Sequence, residues 1–377
     1  MSFEFTEEQR LLQESADRFV QNDYPFALRR ELAASKSGFS ADNWKTFAEL
    51  GWLAIPFSED DGGLGWGTAD IAVLMECFGR GLVTEPYVAT IMLGGGLVAA
   101  LGSDAQKTDI LGPVIGGEMQ LAFAHGEPRG RFNLHAVETT ATKGGDGYVL
   151  NGAKAVVFNG GAADKIIVSA RTGGGARDAD GISVFIVDPG ANGVTIRDYG
   201  TVDGLRAADI TLANVAVSAD SLLGAEGGAA AAIDAVTDKA IVAICAEAAG
   251  AMEKVVGQTN EYIKTRKQFG QPIGAFQVLQ HRMADMFQAH QLARAMAYRA
   301  ATVVDGDDAG ERVRAASAAK VRTGDSGRLI GQEAIQLHGG MGMTEEMDVG
   351  HYFKRLTMID TQFGDRHHHL RKFARAK

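Results

Sequence analysis

Residues 258–281, QTNEYIKTRKQFGQPIGAFQVLQH, are the stretch from which the rest of the chain is best interpreted. A helical segment runs into Arg266, a break at Gly270 ends it, and a second helix opens at Gln277. A fixed cation at such a break is well placed to meet a phosphate, and the amides of Gln268 and Gln277 can hydrogen-bond a polar cofactor. An ordinary loop between two packed helices has the same spacing, so the residues alone leave both interpretations open.

The composition is that of a globular protein with room for two or three domains: 377 residues, 46% hydrophobic and 22% charged. A net charge of −10 argues against nucleic-acid binding, which needs a basic stripe, and an anionic ligand must be met by locally concentrated cations. The two cysteines, Cys77 and Cys245, indicate a reducing compartment. Neither a signal-peptide core nor an apolar run long enough for a membrane span is evident, so the expected location is the cytoplasm.

Hydrophobic periodicity predicts an α+β fold with three domains. Residues 1–118 have helical patterns, with a capping box at Thr6 and a second helix cap at Ser40. Residues 119–228 contain short β-branched runs separated by Gly, Asn and Asp, which predict a β-barrel-like domain. Residues 229–377 predict a four-helix bundle with helices at 233–266, 275–305, 309–339 and 344–356.

Two C-terminal segments resemble one known family. The segment TRKQFGQPIGAFQ resembles the R-x-x-F-G-x-x-I-x-x-x-Q segment of the acyl-CoA dehydrogenases, which grips the FAD of the neighbouring subunit. The segment IQLHGGMGMTE resembles that family's Q-x-x-G-G-x-G segment, which contacts the FAD adenosine and pyrophosphate. A Rossmann site is not expected, because no strand–GxGxxG–helix unit is present. The resemblance implies that the cofactor-binding residues include Arg266, Gln268, Phe269, Gln277, Gln336, Gly339 and Gly340.

The middle region resembles the same family with several departures. Glu127 and Pro128 match its T-E-P segment, and LNGAKAVVFNGGAAD resembles its N-G-x-K-x-x-x-x-N-G-x-x-A-D hairpin, both of which flank the flavin ring. The usual threonines are replaced by Gly126 and Phe158, the serine position is Phe132, and the aromatic position of the hairpin is Val156. Backbone groups at 126 and 158 therefore replace the side-chain hydroxyls as the expected flavin contacts.

The chemistry that the resemblance implies is α,β-desaturation of an acyl-CoA thioester, in which a carboxylate removes the α-proton and the β-hydride passes to FAD. The family places that carboxylate at one of two positions, which fall here on Gly364 and Ala240. Asp365 is adjacent to the first position and Asp238 precedes the second by two residues. Each is a candidate base, and each is equally compatible with a capping or solvated role.

Glu247 is a further acidic residue on the predicted 233–266 helix, and we expect it to be a paired structural carboxylate. The ending FGDRHHHLRK resembles a bacterial subset of the family, often the smaller of two paired subunits, and Arg366 within it is a further candidate FAD contact. No metal site is expected, because the three consecutive residues His367–His369 cannot share one helical face.

The resemblance thus implies a flavoprotein that binds FAD and acyl-CoA and passes electrons to an electron-transfer flavoprotein. It further implies a homo-oligomer or a heterotetramer with a related subunit. Two alternatives stay open: a catalytically silent subunit that completes a partner's FAD site, and a flavin oxidase or monooxygenase on the same fold.

Overall fold

The computed structural model describes residues 4–376. Contacts between Cα atoms group them into two compact units. One unit holds the described residues up to Arg30, then Thr68–Val83, and the chain from Ile241 onward; the other holds Glu31–Gly67 and Thr84–Ala240. The order of structure along the chain is helical, then sheet, then helical, as the sequence predicted. The domain boundaries expected at residues 119 and 229 stay predictions.

The N-terminal region is helical and begins with the expected caps. The Thr6 hydroxyl accepts a hydrogen bond from the Gln9 amide, and the Gln9 side chain returns one to Thr6, which completes a capping box. Ser40 caps α3 by accepting from the Asn43 amide. A π-helical segment, Val88–Gly95, precedes α5. The helices are α1 (Glu7–Asn22), α2 (Phe26–Ala34), α3 (Ala41–Glu49), α4 (Thr68–Gly81), α5 (Gly96–Leu101) and α6 (Asp104–Ile115).

The middle region is a mostly antiparallel sheet. Its strands are β1 (Leu121–Ala124), β2 (Thr140–Gly144), β3 (Gly147–Phe158), β4 (Lys165–Arg171), β5 (Ile182–Val187), β6 (Val194–Gly200), β7 (Arg206–Ser218) and β8 (Leu222–Leu223). They lie in the order β6-β7-β3-β2-β4-β5-β8, and β1 pairs in parallel with β4. Apolar side chains such as Leu150, Phe185 and Ile210 are fully buried on one core. This sheet carries the Glu127 loop and the β3 hairpin.

The C-terminal region consists of long helices, of which α9 packs against α8, α10 and α11. They are α7 (Ala230–Thr265), α8 (Gln277–Ala301), α9 (Ala309–His338), α10 (Val349–Thr361) and α11 (Arg366–Arg375). Helix α7 is buried on all sides between residues 241 and 250. It crosses α4 at very short range, since a Cβ on Gly79 would lie 1.9 Å from the Glu247 carbonyl oxygen, and one on Gly250 would lie 1.8 Å from that of Glu76. Glycine at both positions allows the two backbones to touch.

One predicted helix is displaced. The sequence predicted a helix over residues 344–356, whereas α10 covers Val349–Thr361. A 3₁₀ helix, Gly339–Met343, follows α9 instead, and Asp348 lies at the N-cap of α10. The glycines after α9 explain the shift, because they favour a tight turn over an immediate return to α-helix.

Candidate functional site

The first predicted cofactor segment forms a short hairpin. Helix α7 ends at Thr265, and two short strands, β9 (Lys267–Gln268) and β10 (Gln271–Pro272), then pair across a two-residue turn. The turn residues Phe269 and Gly270 have φ values of 55° and 80°, the combination of two positive values that a type I′ turn requires. The predicted helix over 233–266 ends within one residue of the observed end at Thr265, and the residues up to the predicted break at Gly270 form the hairpin.

Phe269 combines an unfavourable backbone with an exposed side chain. Its φ lies in the left-handed region, which costs an L-residue about 1–2 kcal/mol. Its side chain is 90% exposed and meets the ring of Phe276 edge-on, with centroids 6.0 Å apart. Strained residues of this kind concentrate at ligand-contacting sites. Contact between Phe269 and FAD stays a prediction.

Three polar residues predicted to hold FAD surround this hairpin. The Arg266 backbone is fixed, because its N–H donates to the Tyr262 carbonyl at 2.8 Å and its carbonyl accepts from the Ile273 N–H at 2.9 Å, while its side chain is exposed. Gln268 is exposed on β9, and Gln277 is the exposed first residue of α8. No side chain within residues 4–376 caps the start of α8, which is the positive end of its helix dipole.

The second predicted segment follows α9. Gly339 has φ 60°, which favours glycine, and ends the helix. Both Gly339 and Gly340 are exposed, and a Cβ built on either would find no atom of the described chain within 4 Å. A ligand can therefore approach the backbone of both glycines closely. This is the property that the resemblance implies for them.

The two segments lie side by side. The ring of Tyr262 on α7 stacks on His338 at the end of α9, with centroids 4.3 Å apart. A groove of about 540 Å³ is lined by residues of both segments, including Phe269 from the first and Gln336 from the second. Its lining is mostly apolar, with one cation and one amide: Phe269, Ile273, Phe276, Val278, Leu279, Arg282, Gln336 and Leu337.

These residues fit the adenosine and pyrophosphate of FAD. An apolar groove edged by aromatic rings suits a flat heterocycle, and the amide of Gln336 can satisfy its polar edge. The exposed guanidinium of Arg266 and the open backbone at Gly339 suit a pyrophosphate.

The first family position for the base lies in a fixed turn between α10 and α11. Phe363 and Gly364 have φ values of 60° and 121°. The buried ammonium of Lys320 donates to the carbonyls of Asp360 at 2.9 Å and Gly364 at 2.7 Å. The imidazole Nε2 of the buried His369 lies 3.1 Å from the Phe363 carbonyl oxygen. Two buried side chains thus fix the backbone of this turn.

Asp365 serves as the N-cap of α11. Its Oδ1 accepts from the His368 backbone N–H at 2.8 Å, and this hydrogen bond holds the pKa of Asp365 below its usual value. The capping alternative is therefore realised in the structure, and a role as base stays a prediction. Arg366, the next residue, donates from Nε to Oδ1 of Asp325 at 2.7 Å, with both side chains partly exposed.

The second family position lies within α7. Ala240 and Asp238 are both fully buried. Glu247, one to two turns further on, forms a two-pronged buried ion pair with Arg355, at 2.6 and 2.7 Å. The expectation that Glu247 is a paired structural carboxylate is confirmed, and the role of Asp238 as base stays a prediction.

In the unit that contains the sheet, a buried ion pair joins the loop of Glu127 to the β3 hairpin, the two middle segments that resemble the family. Lys154 of the β3 hairpin donates from Nζ to Oε1 of Glu127 at 2.7 Å. The Glu127 carboxylate also accepts from the N–H groups of Glu138 and Thr139, at 2.7 and 3.0 Å. Burial lowers the pKa of Lys154 to about 8, against the opposing effect of Glu127. Burial raises the pKa of Glu127, but Lys154 and the N–H donors have the larger combined effect and bring this pKa below its usual value. Both groups are therefore charged at neutral pH.

The hairpin position predicted to meet the flavin, Phe158, is half-buried and pairs with Ala207 on β7. The register shifts between Lys154 and Val157, and Val156 within this bulge has φ 54° and is 49% exposed. A bulge with an exposed apolar residue is a common way to direct a side chain towards a ligand. Contact between Phe158 and FAD stays a prediction.

Sequence reasoning missed Lys320 and His369, which hold the turn at Gly364. A lysine inside the small-residue stretch AASAAK of α9 was the available signal, because a charge there is buried and needs partners. No comparable signal marks His369, which lies in a run of three histidines.

No cluster of three or more metal-ligating side chains occurs within residues 4–376, and the rings of His368 and His369 stand at 86° to each other. In the same part of the chain, no helix is both long enough and apolar enough to span a membrane.

Three family models match this chain, one for each of three consecutive segments. Residues 6–118, 122–215 and 226–377 match the family models "Acyl-CoA dehydrogenase, N-terminal domain", "middle domain" and "C-terminal domain", respectively. A probable acyl-CoA dehydrogenase of Bacillus subtilis, YngJ, is 32% identical over 93% of this chain and 92% of its own length.

Two solved structures are similar to this chain along its whole length. The ChsE4-ChsE5 complex from Mycobacterium tuberculosis has a TM-score of 0.89 and 25% identity, and covers 100% of this chain and 98% of its own. PigA with FAD and proline has a TM-score of 0.90 and 25% identity, over 100% of this chain and 98% of its own.

Proposed function

Because the chain belongs to the acyl-CoA dehydrogenase family, whose members are FAD-dependent oxidoreductases, we propose that it introduces a Cα–Cβ double bond into an acyl-CoA thioester. The observation that carries the FAD part is the groove shared by Phe269 and Gln336 beside the open glycines after α9. The similarity to PigA with FAD supports the same cofactor.

The residues of this chain would have the following roles in binding FAD. Arg266 holds the FAD pyrophosphate, and Gln268, Gln277 and Gln336 satisfy the polar edges of the cofactor. When bound, FAD supplies the acceptor for the β-hydride. The ion pair of Glu127 and Lys154 keeps the β3 hairpin in place, with Phe158 and Arg366 as further proposed cofactor contacts.

The reaction also needs a base for the α-proton. Asp365 and Asp238 are the carboxylates that the sequence proposes for this step. Since Asp365 caps α11 and Asp238 is fully buried, each would act only if it retains access to the substrate.

We propose that the chain works as an oligomer with a shared FAD site, either with itself or with a related subunit. Helix α8 exposes Val278, Phe287 and Leu292, which are 62%, 57% and 43% exposed, respectively. Large apolar side chains exposed along one helix favour a protein interface. The similarity to the ChsE4-ChsE5 complex supports a paired assembly, and an electron-transfer flavoprotein is the proposed electron acceptor.

A second function is favoured by Gly364 and Ala240, which leave both family positions for the base without a carboxylate. The chain would then be a silent subunit that completes the FAD site of a related partner.

Anaerobic flavin reduction by a panel of acyl-CoA thioesters tests these proposals. Bleaching of the purified protein supports desaturation, and a protein that takes up flavin only with a related subunit supports the silent role. Rapid peroxide formation in air would instead indicate a flavin oxidase.

A further inference from the structure

The groove is lined by a cation that lies outside the two FAD segments, TRKQFGQPIGAFQ and IQLHGGMGMTE. Arg282 follows Leu279 by one turn of α8, and both residues line the groove together with Gln336 of α9. Nη1 of Arg282 lies 3.2 Å from Oε2 of Glu333, and Glu333 precedes Gln336 by one turn of α9. The ion pair therefore joins the two helices and holds a guanidinium at the wall of the groove.

This ion pair uses few of the guanidinium donors. The Oε2 atom of Glu333 is buried and forms no aligned hydrogen bond, so Arg282 acts as its counter-charge. Within residues 4–376, the Arg282 side chain forms no hydrogen bond to another residue, and it is 41% exposed. A guanidinium carries five N–H donors in a single plane. Most of these donors are therefore available to a ligand in the groove.

Glu333 decides which part of FAD this guanidinium suits. Its carboxylate leaves the pair with no net charge, and a phosphate placed beside Arg282 would also meet a like charge. An uncharged, flat base meets no such repulsion. A guanidinium stacks on aromatic rings and donates to the acceptor nitrogens at the edge of a purine. The pair therefore suits the adenine, whereas Arg266 and the open glycines suit the pyrophosphate.

The rest of the groove supports the same occupant. Phe269 and Phe276, whose rings meet edge-on, supply apolar contact for the faces of a base, and so does Leu279. The volume of about 540 Å³ lies in the range of small-molecule pockets. A phosphate alone would gain nothing from these apolar side chains.

We propose that Arg282 is a specificity-determining residue that packs its guanidinium against the adenine of FAD. The contact makes the site prefer FAD over FMN, which carries the same flavin but no adenine. This inference rests on the FAD part of the proposed function. Glu333 serves as the counter-charge of Arg282 and does not itself contact the cofactor.

Titration of the apoprotein with FAD and with FMN measures this preference. We expect Arg282→Ala to raise the Kd for FAD about 5- to 30-fold and to leave the Kd for FMN unchanged, because loss of a cation–π contact affects only the ligand that carries the base. Arg282→Lys should recover little of the affinity, because an ammonium is a point charge without the plane that stacks. Arg299→Ala, at the exposed far end of α8, should bind both flavins as wild type does.

Two further variants separate recognition of the base from packing of the helices. Glu333→Gln removes the ion pair but keeps the guanidinium, so it should retain the wild-type preference for FAD. Arg282→Ala leaves the buried Glu333 oxygen without its counter-charge, so the double variant Arg282→Ala/Glu333→Gln guards against a folding defect. The double variant should bind FAD as weakly as Arg282→Ala does. The thermal midpoint is measured for each variant.

A wild-type Kd for FAD in Arg282→Ala would overturn the proposal. Equal weakening of FAD and FMN, the same loss in Glu333→Gln, or full recovery in Arg282→Lys would overturn it as well. The proposed function is tested separately by enoyl-CoA formation. FAD binding that depends on Arg282, without desaturation of any thioester, contradicts that function and keeps the adenine contact. Desaturation by a protein whose FAD affinity does not depend on Arg282 contradicts the contact alone.

Discussion

The ring of Tyr262 stacks on the ring of His338 with centroids 4.3 Å apart, and the Tyr262 hydroxyl donates to the His338 carbonyl at 3.3 Å. Tyr262 lies one turn before Arg266, and His338 immediately precedes Gly339. This single contact therefore aligns the two segments that we assign to FAD. It also explains why residues about 70 positions apart form one groove.

Arg266→Ala should weaken flavin binding. Loss of a charge-assisted hydrogen bond to phosphate costs about 1.5–3 kcal/mol, which corresponds to roughly 10- to 100-fold in Kd. Flavin titration of the apoprotein measures this, and light scattering measures the accompanying loss of dimer. Lys264→Ala, two residues earlier on the same exposed helix end, is the matched control and should bind flavin normally. An unchanged Kd in Arg266→Ala would remove this residue from the site.

The ion pair of Glu127 and Lys154 should show strong coupling. Each partner is buried, so removing one leaves an uncompensated charge at a cost of about 3–5 kcal/mol. Glu127→Gln and Lys154→Met should each destabilise the protein, and the double variant should lose much less than their sum. Denaturant unfolding of the four proteins gives the coupling free energy. Additive losses would show that the two groups act independently.

Gly364→Ala should destabilise the turn between α10 and α11. The added methyl would lie 2.6 Å from the His368 ring and 2.9 Å from Nε2 of His369, at a φ of 121°. Overpacking of this kind costs about 1–3 kcal/mol. The control is Gly257→Ala on the exposed face of α7, where no atom of the described residues lies within 4 Å of the new methyl. That change should stabilise the helix by about 0.5–1 kcal/mol. A Gly364→Ala protein with the wild-type thermal midpoint would contradict the crowding.

His369 should make stability sensitive to acid. In the folded chain, burial lowers the pKa of His369 to about 3, and the positive charge of Lys320 acts in the same direction. In the unfolded chain, the pKa of a histidine is about 6.5. The unfolded state therefore binds more protons between these values, so stability is complete above pH 6.5 and falls as pH decreases towards 3. His369→Gln should be less stable at pH 7 and should lose less on acidification. Thermal midpoints from pH 7 to 4 test this, with His367→Gln as the control that should follow wild type.

Local signals predicted the caps at Thr6 and Ser40 and the three-part order of the chain, because capping and periodicity depend on neighbours in sequence. The Phe269-Gly270 turn was missed, because phenylalanine is not a residue that signals a type I′ turn. Lys320 and Gly364 are 44 residues apart, so their contact follows only from packing of α9 against α10 and α11. The positive φ values of Phe363 and Gly364 in the turn between α10 and α11 are likewise not revealed by the sequence.

The central claim is that this chain oxidises an acyl-CoA thioester with bound FAD. Its most direct test is a single anaerobic turnover of the flavin-loaded protein with an acyl-CoA identified by screening, with reduced flavin and enoyl-CoA measured in the same sample. We predict one enoyl-CoA for each flavin reduced, with both formed at the same rate. Flavin that stays oxidised with every thioester tested, although the protein binds FAD fully, would contradict the claim.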